Sequence, residues 1–189
     1  MFAAQTFNVV PDIICSGKGL STGMVPLGSM MADENMADVF YSETEENMQF
    51  CHGHTFAAFP LANAVGIEVI NVLVEEKLPE RAKVMGAYLR EQMEGLKKYG
   101  IIREVRGKGI LLGVEIVQDP VTNKPFPADN SFGHALKKTA LKNGIILRID
   151  EDWFAMAPPL VATDAQLEEM CGLIDKSVRD ALDLVAKKC

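Results

Sequence analysis

Cysteine is scarce and scattered in this sequence. Cys15, Cys51, Cys171 and Cys189 are all there is, and none has the close neighbour that a zinc knuckle or thioredoxin-like pair requires. There is no Asn-x-Ser/Thr sequon, no secretory signal and no small-chain disulfide framework, so the cysteines are expected as thiols in a reducing cytoplasm. Positive charge is short as well. Nineteen Lys and Arg against 26 Asp and Glu leave a net charge of -7, which offers no overall attraction to phosphate backbones or anionic lipid. Neither nucleic acid nor a membrane is expected as a partner. Long apolar runs are missing too: the most hydrophobic stretch, 61–74, contains Asn63, Glu68 and Asn71 and falls short of the ~20 residues a bilayer needs.

What is present is the composition of a packed globule. The chain has 189 residues, 48% hydrophobic and 24% charged, with a mean hydropathy of +0.08. That is enough for a sizeable core without staples, and it excludes a disordered tail or a collagen-like chain. Met1 is followed at once by Phe2, Ala3 and Ala4, then Phe7, Val9, Val10 and Pro11, with no polar lead-in. Such a start is expected of an interior segment of a longer protein.

The pattern along the chain changes near residue 100. Asp12 to Ser16 reads as a short strand broken by the glycine-rich run from Gly17 to Gly23, and Leu27 to Ala32 as another strand. Residues 33–47 are polar and acidic. Thr55 is a candidate N-cap for a following helix whose apolar positions cover nearly every face, which predicts burial inside a large domain. A second helix is predicted to start at Pro79, with Ala82, Met85, Leu89, Met93 and Leu96 along one stripe and Gly100 just past its end. Strands are then predicted over 101–107 and 110–117, a helix over 131–143 ending at Gly144, and strands over 145–149 and 153–156. Thr163 with Gln166 has capping-box spacing and opens a last helix with Leu167, Met170, Leu173, Ile174 and Val178 inward. Residues 101–189 thus form an α+β unit, while the first hundred look like an incomplete α/β layer.

Few residues offer chemistry. Lys18 stands between Gly17 and Gly19 at the end of an apolar strand, where a planar ligand can approach and partial burial would favour the neutral amine nucleophile; the plainer reading is a surface lysine in a loop. A P-loop is excluded, because Gly19 stands where Ser or Thr must follow the lysine. Gly107, Gly109 and Gly113 have one residue too many for a dinucleotide-binding fingerprint. Thr55, after His52 and His54, is either a plain N-cap or a phosphate site at a helix start. The two histidines lack a third ligand at suitable spacing, so no metal is expected. Arg148 interrupts an apolar strand and is read either as a bidentate carboxylate ligand or as a solvent-facing residue paired to Asp150, Glu151 or Asp152; Arg106 is ambiguous in the same way. Met24, Met30, Met31, Met36, Met48, Met85 and Met93 read as core filler.

Four segments in order resemble the class III aminotransferases, which depend on pyridoxal 5'-phosphate: residues 11–28 (PDIICSGKGLSTGMVPLG), 52–66 (HGHTFAAFPLANAVG), 105–117 (VRGKGILLGVEIV) and 157–163 (APPLVAT). The resemblance implies an α/β fold that is the C-terminal part of a fold-type I transferase. Residues 1–77 would be the end of the large mixed-sheet domain, 78–100 a linking helix and 101–189 the small α+β C-terminal domain. It implies that Lys18 holds the cofactor as a Schiff base and moves a proton between substrate Cα and cofactor C4′. It implies that Thr55 binds the cofactor phosphate of the neighbouring subunit in a homodimer. Many α-amino-acid members carry an arginine two residues before the Ala-Pro-Pro at Ala157, and here Ala155 stands there. Arg148 instead matches the mobile arginine of the amine or ω-amino acid:pyruvate branch, which binds a carboxylate. The implied activity is amino-group transfer from an amine or amino acid to a keto acid such as pyruvate. The acid on the pyridine nitrogen, the Gly-Ser phosphate turn and the ring-stacking aromatic belong to segments preceding this one, so the chain by itself is expected to be an inactive fragment. The alternatives are a noncatalytic dimerising fragment, and an aminomutase or decarboxylase of the same fold.

Overall fold

The computed structural model describes residues 1–41, 50–127 and 131–187. It divides into two compact units, Met1–Pro79 and Glu80–Cys189. Met48 and Cys189 lie outside the described residues, as does the end of the acidic stretch.

The first unit starts with a short helix, α1 (Ala3–Phe7), that buries nothing. Strand β1 (Ile13–Ser16) pairs antiparallel with β2 (Ser29–Ala32), Cys15 opposite Met30 and Ser16 opposite Ser29. A two-stranded ladder is marginal by itself, and the loop between the strands carries further bonds. The buried Ser21 donates its Oγ to the Val25 carbonyl at 2.6 Å. The acidic stretch, read as merely polar, forms a helix, α2 (Glu34–Tyr41), because Asp33 Oδ1 accepts the Asn35 N–H at 2.9 Å and satisfies one orphan donor of the first turn. Helix α3 (Pro60–Glu75) follows. Its expected burial is not observed: only Ala62 and Gly66 are buried, and Leu61, Ile67 and Val74 are exposed, since the described residues supply no layer over its other faces. Met24, Met30, Met31 and Met36 are likewise exposed rather than core filler, whereas Met85 and Met93 are buried.

The second unit packs three helices on one face of a four-stranded antiparallel sheet. Helix α4 (Leu78–Gly95) buries Met85, Leu89 and Met93 and continues through a short 3-10 turn, Leu96–Tyr99, to Gly100 in the left-handed region. The strands β3 (Ile102–Lys108) and β4 (Leu111–Ile116), helix α5 (Phe132–Lys142), the strands β5 (Arg148–Ile149) and β6 (Trp153–Met156), and helix α6 (Asp164–Ala186) complete it. The spatial strand order is β3-β4-β6-β5. Residues 145–147 were expected in β5 but lie outside it, so that edge strand is two residues long. One sheet face is apolar and buried through Val105, Leu112, Val114, Phe154 and Met156; each fully buried side chain of this size contributes about 1.5–3 kcal/mol.

Polar bonds set the elements against one another. Arg90 donates to the carbonyls of Val105 at 2.6 Å and Gly107 at 2.9 Å, fixing α4 to β3. Gly86 of α4 meets the β3–β4 turn so closely that a Cβ there would stand 2.1 Å from the Gly109 carbonyl oxygen. Thr139 of α5 donates to the Ser177 carbonyl of α6 at 2.8 Å. Thr163 and Gln166 form the expected capping box, with bonds of 3.2 and 2.9 Å. Asp175 accepts from the Tyr99 hydroxyl at 3.0 Å and pairs with Lys98 at 2.5 Å. Partial burial works to raise the Asp175 carboxyl, but those two donors together hold it below the usual carboxylate range. Among the described residues no helix is long and apolar enough to cross a membrane.

Candidate active site

The first candidate is built where β1 ends. Gly17 is extended, and Lys18 then takes φ 48°, the left-handed region that β-carbon-bearing residues avoid at a cost of about 1–2 kcal/mol. A 3-10 turn, Lys18–Leu20, follows, closed by Leu20 N–H to the Gly17 carbonyl at 3.1 Å. Backbone strain of this kind persists only where the surroundings hold it, and here α3 does so. A Cβ on Gly66 would stand 2.6 Å from Leu27 Cδ2 and 3.7 Å from the Leu20 carbonyl oxygen. The helix therefore touches both arms of the lysine loop at a residue with no side chain. Lys18 itself is exposed, not partly buried as expected, and its amine has no hydrogen bond or ion pair among the described residues.

Thr55 does not cap a helix. Residues 55–58 form turns, Ala58 has φ 55°, and α3 starts only at Pro60, with Phe59 at the N-cap and no side-chain cap bond. Proline's fixed φ and missing N–H suit the first helical position, so the helix begins where Pro60 permits rather than where a threonine offers a cap. Thr55 is exposed, and the phosphate-site reading loses the helix dipole it invoked. His52 and His54 stack edge to face at 4.7 Å, and His52 lies 5.6 Å from Phe50. Among the described residues no group of three or more His, Cys, Asp or Glu is placed to hold a metal ion.

Arg148 belongs to the second unit. It lies opposite Ala155 on the outer face of the sheet and is exposed. Arg106 conforms to the plainer reading, 3.8 Å from Glu104 and 4.0 Å from Glu115. Arg148 does not: it makes no ion pair with Asp150, Glu151 or Asp152, and its guanidinium carbon instead lies over the Trp153 ring at 5.7 Å from the centroid. Period-two alternation could have located that ring, because Phe154 and Met156 are buried and Trp153 and Ala155 must face the other way.

The residues present suit two ends of pyridoxal phosphate. An accessible, unpaired primary amine is what its aldehyde requires, and an exposed hydroxyl such as that of Thr55 is a donor for its phosphate.

The fold is that of the C-terminal portion of a fold-type I, pyridoxal-phosphate-dependent transferase. A thermostable (S)-enantioselective omega-transaminase from Thermomicrobium roseum superposes with a TM-score of 0.88 at 34% identity, over 95% of this chain and 40% of its own. The omega transaminase from Pseudomonas jessenii in complex with PMP gives 0.91 at 28% identity, over 98% and 41%. By sequence, gamma-aminobutyrate transaminase 1, mitochondrial, from Oryza sativa subsp. indica is 30% identical over 99% of this chain and 36% of its own length. Vanillin aminotransferase from Capsicum frutescens is 30% identical over 95% and 39%. The chain thus spans well under half the length of these relatives. The family pattern described as aminotransferase class-III matches residues 1–178, and the chain belongs to that family.

Proposed function

We propose that these residues serve a transaminase that moves an amino group from an amine or amino acid to a keto acid, with Lys18 as its covalent anchor and proton carrier. The observation that carries this reading is the strained backbone of Lys18, a lysine held at φ 48° between two glycines with an amine that has no partner among the described residues. When bound, pyridoxal phosphate supplies an aldehyde for imine chemistry and an electron-poor ring that withdraws charge from the substrate Cα. Lys18 Nζ provides the amine nucleophile and carries a proton to and from that carbon. The Thr55 hydroxyl donates to the phosphate of the neighbouring subunit, which makes the working unit a homodimer. The Arg148 guanidinium binds a substrate carboxylate through two parallel N–H donors. The relatives named gamma-aminobutyrate transaminases support an amine such as γ-aminobutyrate as donor. A reducing compartment suits the thiols of Cys15 and Cys171, and cytoplasm is the one we favour, although the rice relative is named mitochondrial.

Because the relatives are more than twice as long, these residues alone are expected to bind the cofactor loosely and not to turn over. The test is to incubate the chain with pyridoxal phosphate, reduce with borohydride and map the adduct by peptide mass spectrometry. The expected adduct is on Lys18, lost in Lys18→Ala. Label spread over Lys77, Lys83 and Lys97 with none on Lys18 would overturn the assignment, and amine-dependent turnover by the chain alone would overturn its dependence on further residues.

A further inference from the structure

The outer face of the four-stranded sheet carries an aromatic–cation contact, Arg148 over Trp153, in which the ring has so far been given no task. The cross-strand register places Arg106, Gly113, Ala155 and Arg148 in one row, from β3 across β4 and β6 to β5. The adjoining row holds Glu104, Glu115 and Trp153. Trp153 is thus the diagonal neighbour of Arg148, within reach of a long side chain on the same face. The two arginines of this row differ in what occupies them. Arg106 shares Glu104 and Glu115, and Glu115 is further engaged by Arg103 at 3.0 Å. Among the described residues Arg148 has no acid, only the half-buried indole.

That difference is chemical. The charge of Arg106 is partly offset by two carboxylates 3.8 and 4.0 Å away, which accept no hydrogen bond from it. A guanidinium held against an aromatic ring is attracted through its face or charge and keeps its in-plane N–H donors available. The small residues Gly113 and Ala155 leave the floor beside it low, so nothing else on the row crowds the fork.

The geometry points to Trp153 as a positioning residue that holds the Arg148 guanidinium over the sheet face with its donors open, selecting substrates that bear a carboxylate over uncharged amines. It acts through Arg148 and so rests on the reading of that residue as the carboxylate ligand. Pairing with Asp150 or Asp152 is the competing resting place, and removal of the ring releases the side chain to it.

Trp153 is the chain's only tryptophan, so its emission reports on this contact directly. The probes are 4-aminobutanoate and 1-aminobutane, which share a chain length and differ in the carboxylate. In the wild type 4-aminobutanoate is expected to shift the emission and 1-aminobutane not to. By calorimetry, Arg148→Leu should abolish 4-aminobutanoate binding. Trp153→Leu should weaken it about fivefold, which is about 1 kcal/mol at 1.4 kcal/mol per tenfold, and Trp153→Phe should restore most of it by keeping a ring. If Arg148→Leu loses binding while Trp153→Leu keeps the wild-type affinity, the positioning role is overturned and the carboxylate reading stands. If Arg148→Leu binds as the wild type does, the carboxylate reading itself fails. Equal weakening in Trp153→Leu and Trp153→Phe would also overturn the role, since it would show a loss of packing rather than of a ring.

Discussion

Two glycines inside long helices of the second unit are expected to respond to alanine with opposite signs. Ala is favoured over Gly in a helix interior by about 1 kcal/mol, and at Gly172 of α6, where nothing lies within 4 Å of an added Cβ, that gain should be realised. At Gly86 of α4 the same gain meets a wall: the Cβ would stand 2.1 Å from the Gly109 oxygen and 2.3 Å from its carbonyl carbon, both backbone. Ordinary contact begins near 3.4 Å, so helix and turn must part by about 1.3 Å. Arg90 binds that same strand through two carbonyls, and Met85 and Leu89 are packed in the core on either side, so the parting breaks bonds and opens gaps. Overpacking of this kind costs about 1–3 kcal/mol, and backbone against backbone places Gly86 at the upper end. The net loss for Gly86→Ala is then about 2 kcal/mol after the propensity gain. Urea unfolding followed by Trp153 emission reads the unit that contains both glycines. Gly86→Ala should lower the midpoint by about 1 M or more and Gly172→Ala should raise it by about 0.5 M, for slopes near ~1.5–2 kcal/mol per M. A Gly86→Ala midpoint at or above the wild type would refute the close approach.

The remaining outcomes concern ionisable groups. Asp175 has a folded pKa below its unfolded value of about 3.9, so its contribution is present above that pH and is lost as pH falls through the folded value. Thermal unfolding between about pH 5 and 2 should therefore fall more steeply for the wild type than for Asp175→Asn; parallel curves would sink the argument. Burial pushes the Cys171 thiol up to about 11, whereas Cys15 is exposed. Iodoacetamide at about pH 8 should alkylate Cys15 in the folded chain and Cys171 only after urea is added, read by peptide mass spectrometry.

The second unit was largely legible because its cues were local and complete. The stripe from Met85 to Leu96, the glycine after it and the Thr163–Gln166 box each specify geometry within a few residues, and the core formed on them. The first unit was less so, for two reasons. Where cues competed, the stronger restraint won: Pro60 displaced Thr55 as the start of α3, and Asp33 turned a polar stretch into α2. Where burial was inferred from hydrophobicity, it required a covering layer that the described residues do not contain, so the apolar faces of α3 and four methionines are open. Among the candidate residues, Lys18 and Arg148 were visible as types out of place in their segments. What no periodicity shows is the state of their partners: the sequence offered Arg148 three acids within four residues, and it rests on an indole instead.

The left-handed backbone at Lys18 has a bearing on any attempt to harden this fold. Glycine would adopt that conformation without penalty, so a screen ranking variants by melting temperature alone would reward exchanging the lysine for a residue that cannot form an imine. Under the role proposed for Lys18, durability and chemistry pull apart at position 18, which should be held constant while the rest of the chain is varied.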